Sequence, residues 1–515
     1  MFLKLYQHIE RNYLALIIVF ICISLFSIDS RVSAGELITQ IKFLANPSAY
    51  SYDIILSNSI SFNARFYLVH LLFFVSEIFN ISPEILLILL NRVVHFIVLY
   101  SFYLISQHIL GSIVGGLISL VVLIFFSICS FNFASFSLWS GQLNAQSFFY
   151  VCYLGSIYSC FKGNFNFALI LLGIGSLFHF LLGGIYFIFL IFSIYFFRFK
   201  NNLLMIHKIF PGFLIGAMFL VASIFPFFYG QNIEKIFSDN DFIDAYVFQR
   251  HPHHYLISSF GAGDWLFICA IFLAIYLYKS IRIKEIKRNL VFIIIPLVLS
   301  LLLLPIFYFF VEVIPNRVIA SLSLTRFVSH GGLLLIPVMV SSLFLRNFKK
   351  FNLSKFVYRL PVKLVLIFIA LGSFFYDLRS DNHEKLDFLR YELLNQSYSK
   401  EYLFYRDLKN ACSWIKNHSN KYEKIISPGT EARYLCERSM IGGSTFPFSR
   451  DDQVIIDWIE EKSIAGMFFS HDSYDCSNLS LTGLDIAIIP KSKKLSLNPN
   501  YSNESFFVIK INQQC

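Results

Sequence analysis

Long apolar runs crowd the first 377 residues of this 515-residue chain, and they limit its fold more than any other feature. Leu14–Ser27, Ile113–Ile128, Phe167–Phe197, Phe213–Phe228, Leu290–Val311 and Leu364–Phe375 carry almost no charge. Stretches of about 18 or more apolar residues read as membrane-spanning helices, because a helix satisfies its own backbone groups in hydrocarbon. The expected fold is therefore mainly α: a polytopic transmembrane bundle of about 11–12 apolar helices over residues 1–377. A small extracytoplasmic α/β domain follows over residues 378–515.

Only 14% of the residues are charged, against about 25% in a soluble domain. The net charge of +10 does not point to nucleic acid, because the basic residues are placed as in a membrane protein. Arg346, Lys349, Lys350, Lys355, Arg359 and Lys363 form one acid-free run, and Lys279, Arg282, Lys284, Lys287 and Arg288 form another. Both lie between apolar segments, where cytoplasmic loops concentrate Lys and Arg. The expected partners are membrane lipids, and no nucleic acid. The 61 Phe residues fit lipid-facing and helix-packing positions without any special aromatic surface.

Charge alternation orients the second half. Arg198, Lys200 and Lys208 mark a cytoplasmic loop, whereas residues 229–264 hold Glu234, Asp239, Asp241, Asp244 and Asp264 against Lys235 and Arg250. Two further basic loops alternate with a basic-poor one, which places the tail outside the cytoplasm. In the first half the four candidates 66–80, 84–106, 108–130 and 144–161 give the wrong parity. Segment 66–80, short and containing His70 and Glu77, is expected to be re-entrant or interfacial rather than a crossing. The first helix is expected to be uncleaved.

The tail is a different material. Tyr405, Leu408, Cys412 and Ile415 recur at helical spacing, and a second helix is expected over Gln453–Glu460, after Asp451 and Asp452. The apolar runs at 424–427, 464–469, 484–489 and 506–511 alternate with these helices as short strands would. Cys412, Cys436, Cys476 and Cys515 allow two disulfides in three connectivities, and lack the CxxC spacing of a zinc site. Cys22, Cys129, Cys152, Cys160 and Cys269 sit in or near apolar helices, where buried thiols are inert.

The densest polar constellation is Arg250-His251-Pro252-His253-His254-Tyr255, in the acidic outer loop. Metal binding, proton transfer and phosphate recognition all suit three imidazoles beside a guanidinium, and so does an ordinary solvated loop. Pro252 bends the run and no carboxylate follows at a ligand spacing, so no divalent-cation motif is evident. Asp53, in the first outer loop, is an acid suited to metal binding or to deprotonating a hydroxyl. Asp29 and Glu36 compete for that role. Arg92 and His95 lie one turn apart in an apolar helix, and His179 lies in another; such groups face a polar cavity or pair with one another. Arg326 and His330, before an apolar helix, suit an anionic headgroup, although Arg317 and Arg326 equally suit interfacial anchoring. No P-loop, Rossmann, HExxH or GxSxG pattern is present, and Gly111–Gly116 fits close helix packing.

The layout resembles the GT-C class of integral-membrane glycosyltransferases, in particular a poorly characterised bacterial branch. The resemblance rests on a first helix, an outer loop with Asp53, Asn63-Ala64-Arg65-Phe66 opening the next helix, and a C-terminal outer domain. It also rests on Arg250–Tyr255 and on Trp414-Ile415-Lys416-Asn417, Ser427-Pro428, Arg438-Ser439, Pro447 and Trp458. It implies a multi-pass protein of the bacterial cytoplasmic membrane that moves a sugar from a polyprenyl-phosphate carrier to an envelope acceptor at the outer face. Asp53 would be the base or metal-associated acid. Arg250, His251, His253 and His254, with Arg65 and Arg326, would bind the lipid phosphate or the reacting centre. The adjacent acid pair usual in that class is missing beside Asp53. Two other functions fit the composition: a transporter or flippase for an envelope lipid or glycan, and a non-catalytic assembly or sensing protein.

Overall fold

The computed structural model describes residues 12–23, 35–53, 56, 65–128, 131–134, 138, 143–198, 206–228, 236–249, 252–279, 284–347, 396–442, 452–480 and 484–515. Arg250, His251, Asp29, Pro447 and the apolar run at 364–375 lie outside these residues, as does the side chain of His253. The longer helices are α1 (Asn12–Ile23), α2 (Gly35–Ala45), α3 (Phe66–Phe79), α4 (Pro83–Leu110), α5 (Ile113–Ile128), α6 (Ala145–Phe161) and α7 (Phe165–Phe178). They continue with α8 (Phe180–Arg198), α9 (Ile206–Phe228), α10 (Ala262–Lys279), α11 (Lys284–Tyr308), α12 (Thr325–Asn347), α13 (Gln396–His418) and α14 (Asp452–Ser470).

Four stretches are long and apolar enough to cross a membrane: Pro83–Leu110, Lys208–Pro226, Asn289–Val313 and Arg317–Leu345. α1, α3, α5, α7, α8 and α10 are apolar but shorter. The protein is mainly helical, with apolar helices compatible with a membrane-embedded protein and a small sheet near its C-terminus. The chain divides into two compact units, one of residues 1–27, 90–225 and 237–379, the other of residues 28–89, 226–236 and 380–515. The tail thus shares its unit with residues 28–89, a grouping that an expected cut at residue 377 does not contain.

In the first unit, small residues set the helix crossings. α6 and α7 run antiparallel, with Gly155 against Leu171 and Gly175 against Cys152 and Phe149. α9 runs parallel to α7: Gly212 lies on Asn166, and a Cβ at Gly216 would come within 2.6 Å of the Leu169 carbonyl oxygen. Gly212 and Gly216 are four apart on one helix face, the spacing that lets two backbones approach. α5 and α12 are antiparallel, tied by Ser119 Oγ donating to Ser341 Oγ at 2.8 Å and by Gly115 against Leu345. Gly115 and Gly116 are therefore packing glycines; a Cβ on Gly116 would meet the Tyr103 ring at 2.9 Å.

The run Phe167–Phe197 is not one helix. His179 adopts φ −151°, ψ 90° between α7 and α8, and Gly183 then sits directly on Ser176. The two helices form a hairpin with His179 at its apex. This register gives the unit two unlike ends. At one end lie Lys162 after α6, the Lys208 carbonyl accepting from Asn166 Nδ2 at 2.7 Å, and the junction between Lys279 and Lys284. At the other lie His179, Ala134, His254, Asp264, Glu312 and the turn before α12.

The second unit has a five-stranded sheet in the order β2-β1-β3-β5-β4, from β1 (Ile425–Ile426), β2 (Met440–Ile441), β3 (Ile486–Pro490), β4 (Tyr501–Ser502) and β5 (Phe506–Lys510). β1 pairs in parallel with β2 and β3, and β5 pairs antiparallel with β3 and β4. The run 464–469 is not a strand: it completes α14, burying Phe468 while exposing Met467. Cys412 is bonded to Cys436 and Cys476 to Cys515. Segment 66–80 forms the 14-residue α3, about 21 Å long, short of the ~30 Å hydrocarbon core. It packs on α2 and exposes Leu71, Phe74, Ile78 and Phe79.

Gly216→Leu is expected to lower the thermal midpoint in detergent, since overpacking a closed contact costs about 1–3 kcal/mol. Gly261→Ala, with no atom within 4 Å of its added Cβ, is the control and is expected to leave the midpoint unchanged.

Candidate active site

The polar end of the membrane unit is assembled from four turns. α12 begins after Ser323, a non-glycine residue at φ +47°. L side chains seldom adopt this region, and such strain collects at functional sites. The turn brings Ser323 Oγ within 2.9 Å of Arg326 Nε, which donates to it, and Arg326 Nη1 lies 3.3 Å from His179 Nε2. A guanidinium only donates, so the imidazole accepts here through Nε2. The Leu182 amide points at the other ring nitrogen, donating toward Nδ1 at 3.4 Å.

Thr325 Oγ1 donates to the His254 carbonyl at 2.6 Å, which joins the histidine segment to the same turn. His254 Nδ1 lies 2.7 Å from the carbonyl oxygen of Ala134, itself at φ +53°. A carbonyl only accepts, so Nδ1 carries the proton and Nε2 is the basic nitrogen. Ala134 is pinned in turn by Asp264 Oδ1, which accepts from its amide at 2.7 Å. Glu312, in a wide helical turn at Phe309–Val313, accepts from the amides of Ile257 (2.6 Å) and Ser258 (3.2 Å). Both acids thus hold the loop that carries His254.

One turn deeper, His330 is fully buried with Nε2 2.6 Å from Tyr150 Oη, and Tyr150 donates to Gln146 Oε1 at 3.1 Å. The chain runs His330 Nε2–H to Tyr150 to Gln146. That direction leaves His330 Nδ1 as a buried acceptor with no partner among the described residues, less costly than a buried unmatched donor. Arg317 lies away from this pair, its guanidinium 4.4 Å above the Phe242 ring.

In the second unit, Asp53 does not have the surroundings of a base that meets an acceptor hydroxyl. It is 1% exposed, its Oδ2 is 2.8 Å from Arg433 Nε, and its oxygens accept from the amides of Leu56 (3.0 Å) and Met440 (3.4 Å). Burial raises its pKa, and Arg433 and the two amides oppose that rise. It works as a buried clamp between its own loop and the tail. Glu461 Oε2 lies 3.9 Å from Arg433 Nη2. Burial, then the Asp53 charge, push the Glu461 carboxyl up to about 7, against Arg433 and the Gly442 amide. Arg65 is also committed within this unit, at 2.6 Å from Glu36 Oε2. Lys42 pairs with Glu84 (2.6 Å) and Glu437 (2.9 Å). Burial would lower the Lys42 pKa, but the two carboxylates outweigh it and raise it.

Of the expected site residues, the structure joins Arg326 to His254 through Thr325, and places Asp53 and Arg65 in separate ion pairs of the second unit. Arg92 and His95 are buried in α4. Tyr150, Ser323, Ala134, Arg433 and Glu461 were not legible as site residues, because nothing local in the sequence marks them. Among the described residues no group of three or more His, Cys, Asp or Glu side chains is placed to hold a metal ion. No protein-family model matches the chain, and no curated protein resembles it significantly.

The Glu461 carboxyl keeps its proton to about pH 7 when folded and releases it near its ordinary 4.5 when unfolded. The stability this contributes is full below pH 4.5 and lost as pH rises through 7. Glu461→Gln is expected to slow hydrogen exchange along α14 at pH 8 relative to the parent, by up to about 3 kcal/mol of protection, and to match it at pH 4.5.

Proposed function

We propose that the protein is a membrane transferase of the GT-C kind, taking a sugar from a polyprenyl-phosphate carrier at the outer face of a bacterial cytoplasmic membrane. The observation that carries the reading is Arg326, fixed by Ser323 and His179 in the turn that Thr325 ties to the His254 carbonyl. A preorganised guanidinium is suited to the negative charge that grows on a departing phosphate. His254, held by the Ala134 carbonyl with Nε2 basic, is suited to take the proton of the acceptor hydroxyl. The bond between the sugar and the carrier phosphate breaks, the acceptor oxygen bonds to the sugar carbon, and the proton passes to His254 Nε2. Asp53 has no part in this scheme.

Two features support the outward orientation. The opposite end of the unit holds Lys162 and Lys208, as cytoplasmic ends do. The Cys412–Cys436 and Cys476–Cys515 bonds suit an oxidising compartment.

Arg326→Ala is expected to weaken binding of a photo-crosslinkable polyprenyl phosphate roughly 10- to 100-fold, since hydrogen bonds to charged groups contribute about 1.5–3 kcal/mol. His254→Asn keeps a donor for Ala134 and removes the basic nitrogen. It is expected to bind the carrier normally and lose roughly 10²–10⁴-fold in transfer rate. Unchanged carrier binding by Arg326→Ala would refute the assignment. Carrier binding without any transfer product in detergent would favour the transporter reading, because transport needs two compartments and transfer does not.

In intact cells, Cys412, Cys436, Cys476 and Cys515 are expected to resist maleimide alkylation until a reductant is added. Alkylation of all four without reductant would place the tail on the reducing side.

A further inference from the structure

We infer a second, anion-binding site in the membrane unit, at the end opposite Arg326, that takes the phosphate of an anionic phospholipid headgroup. A cavity of about 330 Å³ is lined by Asn12 of α1, Leu104, Gln107, His108 and Gly111 at the end of α4, and Tyr158 and Lys162 at the end of α6. Among the described residues its polar lining consists of an ammonium, two amides, an imidazole and a phenol, with no carboxylate. These described groups offer several donors and no negative charge to repel a phosphate.

The groups are positioned rather than merely present. Tyr103 donates to Asn12 Oδ1 at 2.8 Å, so the amide oxygen is engaged by the protein. The His108 ring stacks on Phe161 at 5.5 Å with 13° between planes, which fixes the imidazole along the cavity wall. Lys162 lies 5.4 Å from the centre of the Tyr158 ring and closes α6 as an exposed residue. Gly111, at φ +61°, ends α4 with no atom within 4 Å of where a Cβ would stand, so the chain turns away and leaves the mouth open. Basic pockets between membrane helices on the cytoplasmic side recognise anionic headgroups in this way. The site is distinct from the Arg326 turn, which is built from the start of α12 and the α7–α8 apex.

The test uses the full-length protein in a neutral maltoside detergent, with the thermal midpoint read after adding dioctanoyl phosphatidylglycerol, dioctanoyl phosphatidylcholine or sodium phosphate. Phosphatidylglycerol is expected to raise the midpoint by roughly 2–4 °C at saturation, and phosphatidylcholine to leave it unchanged. Lys162→Met with Gln107→Leu is expected to keep the lipid-free midpoint and lose the phosphatidylglycerol increment. A saturable shift with sodium phosphate that the same double substitution abolishes also upholds the phosphate site, with a free anion as its source. An equal shift with both lipids, or a phosphatidylglycerol shift that survives the double substitution, overturns the proposal. A double variant that fails to fold is replaced by Lys162→Met alone, expected to halve the increment or more; full retention of the increment overturns the proposal equally.

Discussion

The crossing of α7 over α8 at Ser176 and Gly183 is the contact on which the polar end of the membrane unit rests. Only a residue without a Cβ lets the second helix fold back so soon after the first. That reversal makes His179 an apex instead of one more residue in a continuous apolar helix. A histidine in mid-helix would face lipid or a neighbouring helix, and would need its own polar partner there. At the apex it meets Arg326, and each group offsets what the other would lose by leaving water. The glycines at 212 and 216 extend the same logic, because α9 lies against the α7 backbone where α9 itself carries no Cβ.

The two backbone outliers of this end, Ala134 and Ser323, are joined by hydrogen bonds through His254. Ala134 accepts from its ring and Thr325, two residues beyond Ser323, donates to its carbonyl. Neither residue type favours a positive φ, and the surrounding bonds from Asp264 and Arg326 hold both in place. The acids at this end therefore serve as supports for the loop rather than as proton carriers. The buried acid of the second unit follows the same economy of charge: Asp53, Arg433 and Glu461 place two carboxylates against one guanidinium. The second carboxylate is the one whose proton is held to about pH 7.

The helical class, the tail's sheet and helices, and the short character of segment 66–80 were readable because each follows from periodicity, run length or charge placement. The tail strands at 425–426, 486–490 and 506–510 coincide with apolar runs between turn residues. The run 464–469 misled for a physical reason. Six apolar residues in a row fit a buried strand and one and a half turns of helix equally, and only its continuity with the segment from Asp452 decides. The fates of Asp53 and Arg65 were not readable at all. An acid in an outer loop looks alike whether it faces a substrate or an arginine hundreds of residues away, and local sequence does not contain the pairing.

What distinguishes the two ends of the membrane unit is the kind of cation each carries. The end with Lys162 offers an exposed ammonium, a compact point charge on a flexible stem. The end with Arg326 offers a planar guanidinium already oriented by two partners, which selects geometry in addition to charge. A bilayer imposes this difference, because a loose cation near hydrocarbon must stay hydrated whereas an oriented one can be partly withdrawn from water. If the Arg326 end binds a lipid-linked phosphate, its discrimination comes from that withdrawal. Arg326→Lys would then retain the charge and lose the fork, weakening carrier binding although the electrostatic field of the site hardly changes.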